Sequence, residues 1–337
     1  MKNKSLFLSV AMVMLSAQAN ASDASHESVA DSVIAEQRAN LSENTQGKGF
    51  GPQAPRDLGS LKGTNARLFS DAPDSTAMNL CNIHFHKNAE HKGGEFTQYA
   101  GNGDGKGFQS GFKYTGKLSA AELKPFDQKV CPSDHGSLHS GDTIEVHYVY
   151  STAQVEPGET LGACFNNAIT NPQLRVETQV FVLVNDGKAL DFEALAKHSK
   201  VNGLNQAPNI PQNTGSAIQY AGSTTGPGYN EQGSPFQVTW SVRPQVAKVN
   251  IATVGSWCEG NDFNEDHAHG VSHARIAHCT RQGNTFWHRH FVEKNSHCEC
   301  SDLAFRHGIV RNALNKKVDL FGGQYFAVAF FTDNFLW

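Results

Sequence analysis

Two short stretches of this chain carry side chains able to hold a metal ion. Asn82-Ile83-His84-Phe85-His86 alternates apolar Ile83 and Phe85 with two histidines. Successive side chains of a β-strand point to opposite faces, so His84 and His86 share one face. In Ile144-Glu145-Val146-His147-Tyr148-Val149-Tyr150, the residues Ile144, Val146, Tyr148 and Tyr150 line one face while Glu145 and His147 line the other. Laid side by side, the two strands bring His84, His86 and His147 together. Three neutral imidazoles suit a tetrahedral Zn²⁺ whose fourth position stays open, the arrangement of a catalytic zinc rather than a structural one. Glu145 is then placed to accept a ring N–H and fix the tautomer of a ligating histidine. An isolated H-x-H arises by chance in a chain with 16 histidines, and the E-x-H partner on a second strand is what gives the pair weight. A zinc so held lowers the pKa of a water from 15.7 to about 7, so the spacing alone implies a hydrolytic or lyase metal.

The elements that must position these residues read as β-rich. Further strand candidates are Val176–Asn185, Phe236–Val242, Lys248–Val254 and Tyr325–Thr332, rich in β-branched and apolar residues and separated by Gly, Pro and Asn. Helices are few and short: Ser119-Ala-Ala-Glu122 fits a capping box, and Asp191–His198 suffices for two turns. The expected fold is mainly β, a single β-rich domain over 76–337 with a few short helices and the metal site on adjacent antiparallel strands. Gly101-Asn-Gly-Asp-Gly-Lys-Gly107 reads as a turn, since it lacks both a following helix and the spaced acids of a calcium loop. No H-E-x-x-H metalloprotease helix is present.

The metal stretches resemble carbonic anhydrase. The α class carries H-F-H on one strand, S-E-H shortly after, and E-L-H-L-V-H on the neighbouring strand; here stand His84-Phe85-His86, Ala89-Glu90-His91 and Glu145-Val146-His147-Tyr148-Val149. The flanks depart from the α class: Cys81-Asn82 precedes, Lys87-Asn88 replaces the usual aromatic and glycine, and a long insertion separates His91 from Glu145. The whole segment from Cys81 to Phe96 is similar instead to the signature of δ-class carbonic anhydrases and their bacterial relatives, with the likeness running over roughly 75–337. This resemblance implies reversible hydration of carbon dioxide to bicarbonate and a proton by a zinc-bound hydroxide. It also implies that Glu90, at the S-E-H position, orients a hydrogen-bond gate beside the metal. His91, His135 and His139 are candidates to carry the proton, none of them fixed by a motif.

Outside these motifs, Met1–Ala21 has Lys2 and Lys4, an apolar run from Leu6 to Leu15, and Ala19-Asn20-Ala21 before Ser22, the layout of a cleaved signal peptide. The run is too short to span ~30 Å of hydrocarbon, so a periplasmic or secreted protein is expected. Residues 22–75 are poor in large apolar side chains and read as an extended lead-in with a short helix near Val29–Asn40. A net charge of −4 without a basic cluster points away from nucleic acid and anionic membranes. Seven cysteines suit disulfides in an exported chain, with Cys298-Glu-Cys300 and Cys258 with Cys279 as framework candidates. The run Asp262-Phe-Asn-Glu-Asp-His267-Ala-His269, followed by His273, His278, His288, His290 and His297, offers a second metal site at His267 and His269 or proton relays to the first. An exported zinc-binding protein without turnover would use the same histidines.

Overall fold

The computed structural model describes residues 28–47, 56–61, 70–224 and 231–271, all within one compact unit spanning Met1–His278. In chain order these form α1 (Asp31–Thr45), β1 (Asn79–Lys87), β2 (Phe96–Tyr99), β3 (Phe112–Tyr114), β4 (Val130–Ser133), β5 (Gly136–Leu138), β6 (Thr143–Ser151) and β7 (Leu174–Val184). There follow α2 (Phe192–Ala196), β8 (Ser199–Val201), β9 (Leu204–Gln206), β10 (Ile218–Ser223), β11 (Gln237–Asn250) and α3 (Ile251–Glu259). The protein is mainly β with short helices, as the strand periodicity predicts. Among the described residues, no helix is long and apolar enough to cross a membrane.

The centre of the fold is a five-stranded sheet in the order β1-β6-β7-β11-β10. All its pairings are antiparallel except β7 with β11, which run parallel. Alternation along β6 decides what each face of the sheet meets. Ile144, Val146, Tyr148 and Tyr150, with Ile83 and Phe85 of β1, belong to one apolar cluster with Phe192 of α2 and Val254 and Trp257 of α3. The opposite face carries the histidines together with Val149, Val176, Val238 and Trp240 of a second cluster. Both faces of β6 are covered: every residue of the strand is buried, His147 and Glu145 included.

Lys248–Val254 is not a separate strand. β11 runs from Gln237 to Asn250, with a register shift between Val242 and Val246, and the chain then turns helical. The Asn250 side chain caps α3 by accepting from the Ala252 N–H, and Ile251, Val254 and Trp257 recur at helical spacing to bury one face. The Ser119–Glu122 hydrogen bonds form as a capping box would, but they close a turn and no helix follows. In the lead-in, α1 reaches Thr45, five residues past the expected end, and buries Ile34 and Leu41. Cys258 pairs with Cys131 rather than Cys279, and Cys81 pairs with Cys164. The signal-peptide stretch, Tyr325–Thr332, Cys279, Cys298, Cys300 and the histidines from His273 to His297 lie outside the described residues.

Candidate metal centre

Strand register brings the three histidines together. β1 and β6 pair so that His84 faces His147 and His86 faces Glu145 across the ladder. The ring centroids of His84, His86 and His147 lie 4.7 to 5.3 Å apart, and one nitrogen from each falls within 4.8 Å of the others.

The outer nitrogen of each ring has its own partner, which assigns the tautomers. His84 Nδ1 donates to Asn82 Oδ1 at 2.6 Å, and the Asn82 amide is itself oriented by donating to the Gly158 carbonyl. His86 Nδ1 donates to the Gly270 carbonyl at 2.9 Å. His147 Nε2 donates to Glu145 Oε1 at 2.7 Å. What remains is three nitrogens bearing lone pairs. His147 Nδ1 and His84 Nε2 face one another at 3.2 Å, and His86 Nε2 is buried without a hydrogen-bond partner among the described residues. A buried polar atom left unpaired is costly, and lone pairs crowded together call for a cation between them. Burial, followed by repulsion from the neighbouring rings, keeps His84 well below its ordinary pKa and pushes His86 down to about 3. Both rings are therefore neutral, the form in which imidazole ligates. The donor set fits a three-histidine metal ion.

Glu145 is wholly buried and uses both oxygens. Oε1 accepts from His147 Nε2 and from His91 Nδ1, each at 2.7 Å, and Oε2 accepts from the His91 backbone N–H at 3.1 Å. Burial pushes its pKa up, but His91 and His147 more than offset this and hold the carboxyl well below its ordinary value. His91 is also fully buried and accepts at Nε2 from the Tyr220 hydroxyl. Glu90, equally buried, pairs with Arg56 at 2.7 Å.

The two metal stretches thus behave as their alternation predicts, while the other candidates divide. His91 has no exposed surface to pass a proton to solvent, and it braces Glu145 instead. His135 stacks on Phe108 and His139 stands beside Asp142, and neither lines the cavity in front of the three histidines. His267 bonds Asp266 on the surface. The rings of His267 and His269 stack 5.7 Å apart, and His269 also faces the first cavity, 5.4 Å from the His84 ring and 5.9 Å from His86, with its Nε2 on Glu265. It gets there because the chain at 269–271 runs along the edge of β1: His269 N–H donates to the Phe85 carbonyl, and Val271 N–H donates to that of Gly107. Gly107 has φ +108, and a Cβ there would fall 2.1 Å from the Val271 oxygen, so only glycine allows this approach. The Gly-rich loop is a turn, as expected, and it also docks the segment that orients His86.

The cavity has a volume of about 370 Å³. The histidines form one wall, and Val149, Leu161, Phe165, Val176, Val238 and Trp240 supply much of the rest. Thr224 adds a hydroxyl, bonded to the Ser234 hydroxyl. Sequence reasoning missed Asn82, Tyr220, Trp240, Gly270 and Arg56. Asn82 alone had a local signal, since it shares the face of His84 two residues on.

Fold and donor set together define a β-sheet protein with a three-histidine metal centre. The delta carbonic anhydrase family model matches residues 75–253, and the chain belongs to that family. No curated protein matches. Among solved structures, the chain is similar to a hyperthermostable carbonic anhydrase identified from an active hydrothermal vent chimney, at 13% identity over 69% of this chain and 87% of that one. The TM-score is 0.23.

Proposed function

We propose that this protein is a carbonic anhydrase, interconverting carbon dioxide and bicarbonate with release of a proton at a zinc ion held by His84, His86 and His147. The observation that supports this most is the set of three lone-pair nitrogens, each backed by its own outer partner, at the wall of an apolar cavity. Zinc in that position would supply hydroxide at neutral pH by lowering the pKa of a water to about 7. The chain's residues do the rest. Asn82, Gly270 and Glu145 fix the rings in the ligating tautomer, and the Glu145 carboxylate makes His147 the more basic ligand. The apolar walls around Val149, Val176 and Val238 suit a nonpolar gas molecule better than they suit water. Glu90 and His91 act from behind the ligands, through Arg56 and Glu145, rather than on the substrate. The proton leaves past His269, whose ring is both in the cavity wall and 40% exposed.

This reading carries an organisation with it: 1–21 as a cleaved export signal, 22–75 as a lead-in, and 76–337 as the catalytic region. Two disulfides support an oxidising compartment such as the periplasm. The test is stopped-flow carbon dioxide hydration by the zinc-loaded protein beside His147→Ala, with zinc content measured for both. Turnover that disappears in the variant together with its zinc is expected. Full turnover and stoichiometric zinc in the variant would refute the ligand assignment. Zinc without turnover in the parent protein would make it a zinc-binding protein instead.

A further inference from the structure

Arg56 lies 19 residues before the start of the region matched to the family, in a stretch whose composition gives it no evident task. It is nevertheless only 4% exposed. Its guanidinium makes three contacts at once, one of them to Trp240 of the cavity wall. Nη1 donates to Glu90 Oε2 at 2.7 Å, Nη2 donates to the Ser223 carbonyl at 3.2 Å, and the guanidinium carbon sits 4.8 Å over the Trp240 ring. Trp240 in turn lies edge-on to both His147 and His91, with centroids 5.0 Å away in each case. Glu90 is the neighbour of His91, which braces Glu145 and through it His147. The backbone around Arg56 is pinned to the strip just after those residues. Lys92 N–H donates to the Arg56 carbonyl and Leu58 N–H to that of Lys92, and Asp57 pairs with Lys92. Arg56 holds φ at +53°, a left-handed conformation that costs a non-glycine residue and persists only where the surroundings enforce it. A planar fork of donors that also stacks on an aromatic face is something only arginine offers.

We infer that Arg56 is a positioning residue of the metal centre: it ties Glu90, the β10 end at Ser223 and Trp240 into one rigid backing for His147 and His91. This rests on the carbonic anhydrase reading for its kinetic test and on the metal site alone for its spectroscopic one. A purely structural ion pair would affect melting but not the reaction of folded, metal-loaded protein.

The experiment compares Arg56→Met, Glu90→Gln, the double variant and Lys92→Ala, each with metal stoichiometry established and assayed well below its melting point. Lys92→Ala loosens the same segment from outside and is the control. In Arg56→Met, kcat for carbon dioxide hydration is expected to fall roughly 10-fold or more, the scale of lost support to ligating residues, with KM little changed. The visible spectrum of the cobalt-substituted protein should shift with it. The double variant should be no slower than the worse single one, and Lys92→Ala should keep the parent kcat and spectrum. Parent-like kcat and spectrum in Arg56→Met, or effects that multiply in the double variant, would overturn the inference. Should Arg56→Met not fold, the double variant leaves the Arg56–Glu90 pair with neither charge and decides in its place: a kcat and cobalt spectrum displaced from the parent's and equal to those of Glu90→Gln support the inference, and parent-like values overturn it. Should the parent protein bind metal without turnover, the function proposed above fails, and the cobalt spectra alone decide the role of Arg56.

Discussion

Acidifying the metal-free protein from about pH 7 to about pH 5 is expected to cost it about 2 kcal/mol through His86 alone. Burial, with repulsion from His147 next, pushes the His86 pKa from 6.5 down to about 3 in the folded protein. An unfolded histidine keeps its ordinary value near 6.5. Between those two values the unfolded chain binds the extra proton, and stability therefore rises with pH. The sign follows: the contribution is fully present above about 6.5 and is lost progressively as pH falls toward about 3. About pH 5 lies roughly 1.5 units below the unfolded value, and each unit is worth 1.36 kcal/mol, which gives about 2 kcal/mol. His84, also held well below its ordinary pKa, acts in the same direction. For a folded unit of this size the melting temperature should fall by roughly 4–8 °C. The assay is calorimetry of chelator-treated protein across that pH range, with His86→Gln measured alongside. The variant should show a shallower dependence. A melting temperature that stayed level or rose on acidification would refute the claim that the metal-free site holds neutral, desolvated imidazoles.

Two further outcomes follow from the same geometry. Glu145→Gln replaces an acceptor of three hydrogen bonds by an amide that meets donors with donors, so zinc affinity should fall roughly 10- to 100-fold in competition with a chelator of known strength; unchanged affinity would mean that His147 needs no support from Glu145. The Cys81–Cys164 disulfide spans 83 residues, starts three residues before His84 and ends beside the cavity wall at Leu161 and Phe165. Replacing that pair by serine should cost about 2–4 kcal/mol in denaturant melts and lower turnover as well, whereas replacing Cys131 and Cys258 should cost stability while sparing turnover; equal effects on turnover would show the wall to be held by other contacts.

What could be read in the sequence was whatever had a local period. Alternation fixes which face His84, His86, Glu145 and His147 occupy, and a single correct pairing of two strands completes the site. The supporting groups were hidden for different reasons. The acceptor for His86 is the Gly270 carbonyl, and a backbone atom leaves no mark in residue type. Arg56 is one arginine in a stretch poor in apolar residues, and only the folded chain puts it behind Trp240. Cys131 finds Cys258 across 127 residues, which spacing could not have chosen over Cys279. The end of β11 is not legible in the sequence because Val249, Ile251 and Val254 suit a strand as well as a helix, and what decides is the Asn250 cap. The density of histidines marks His269 for metal affinity, but which cavity it faces depends on the pairing of its segment with the edge of β1.

The direct opposition of His84 and His147 across the β1–β6 ladder also makes the metal centre a proofreader of strand alignment. Two residues 63 positions apart in the chain meet at the site only when the two strands have docked in one particular phase. A slip of one residue would turn Ile83 and Phe85 toward the cavity and send the imidazoles into the apolar layer. A slip of two would keep the faces but set His84 opposite Glu145 or Val149. Neither misaligned sheet assembles the three donors. An ion that binds only the aligned form withdraws it from the folding equilibrium by mass action, so that metal uptake during refolding should track correct docking of β1 on β6 rather than the collapse of the chain.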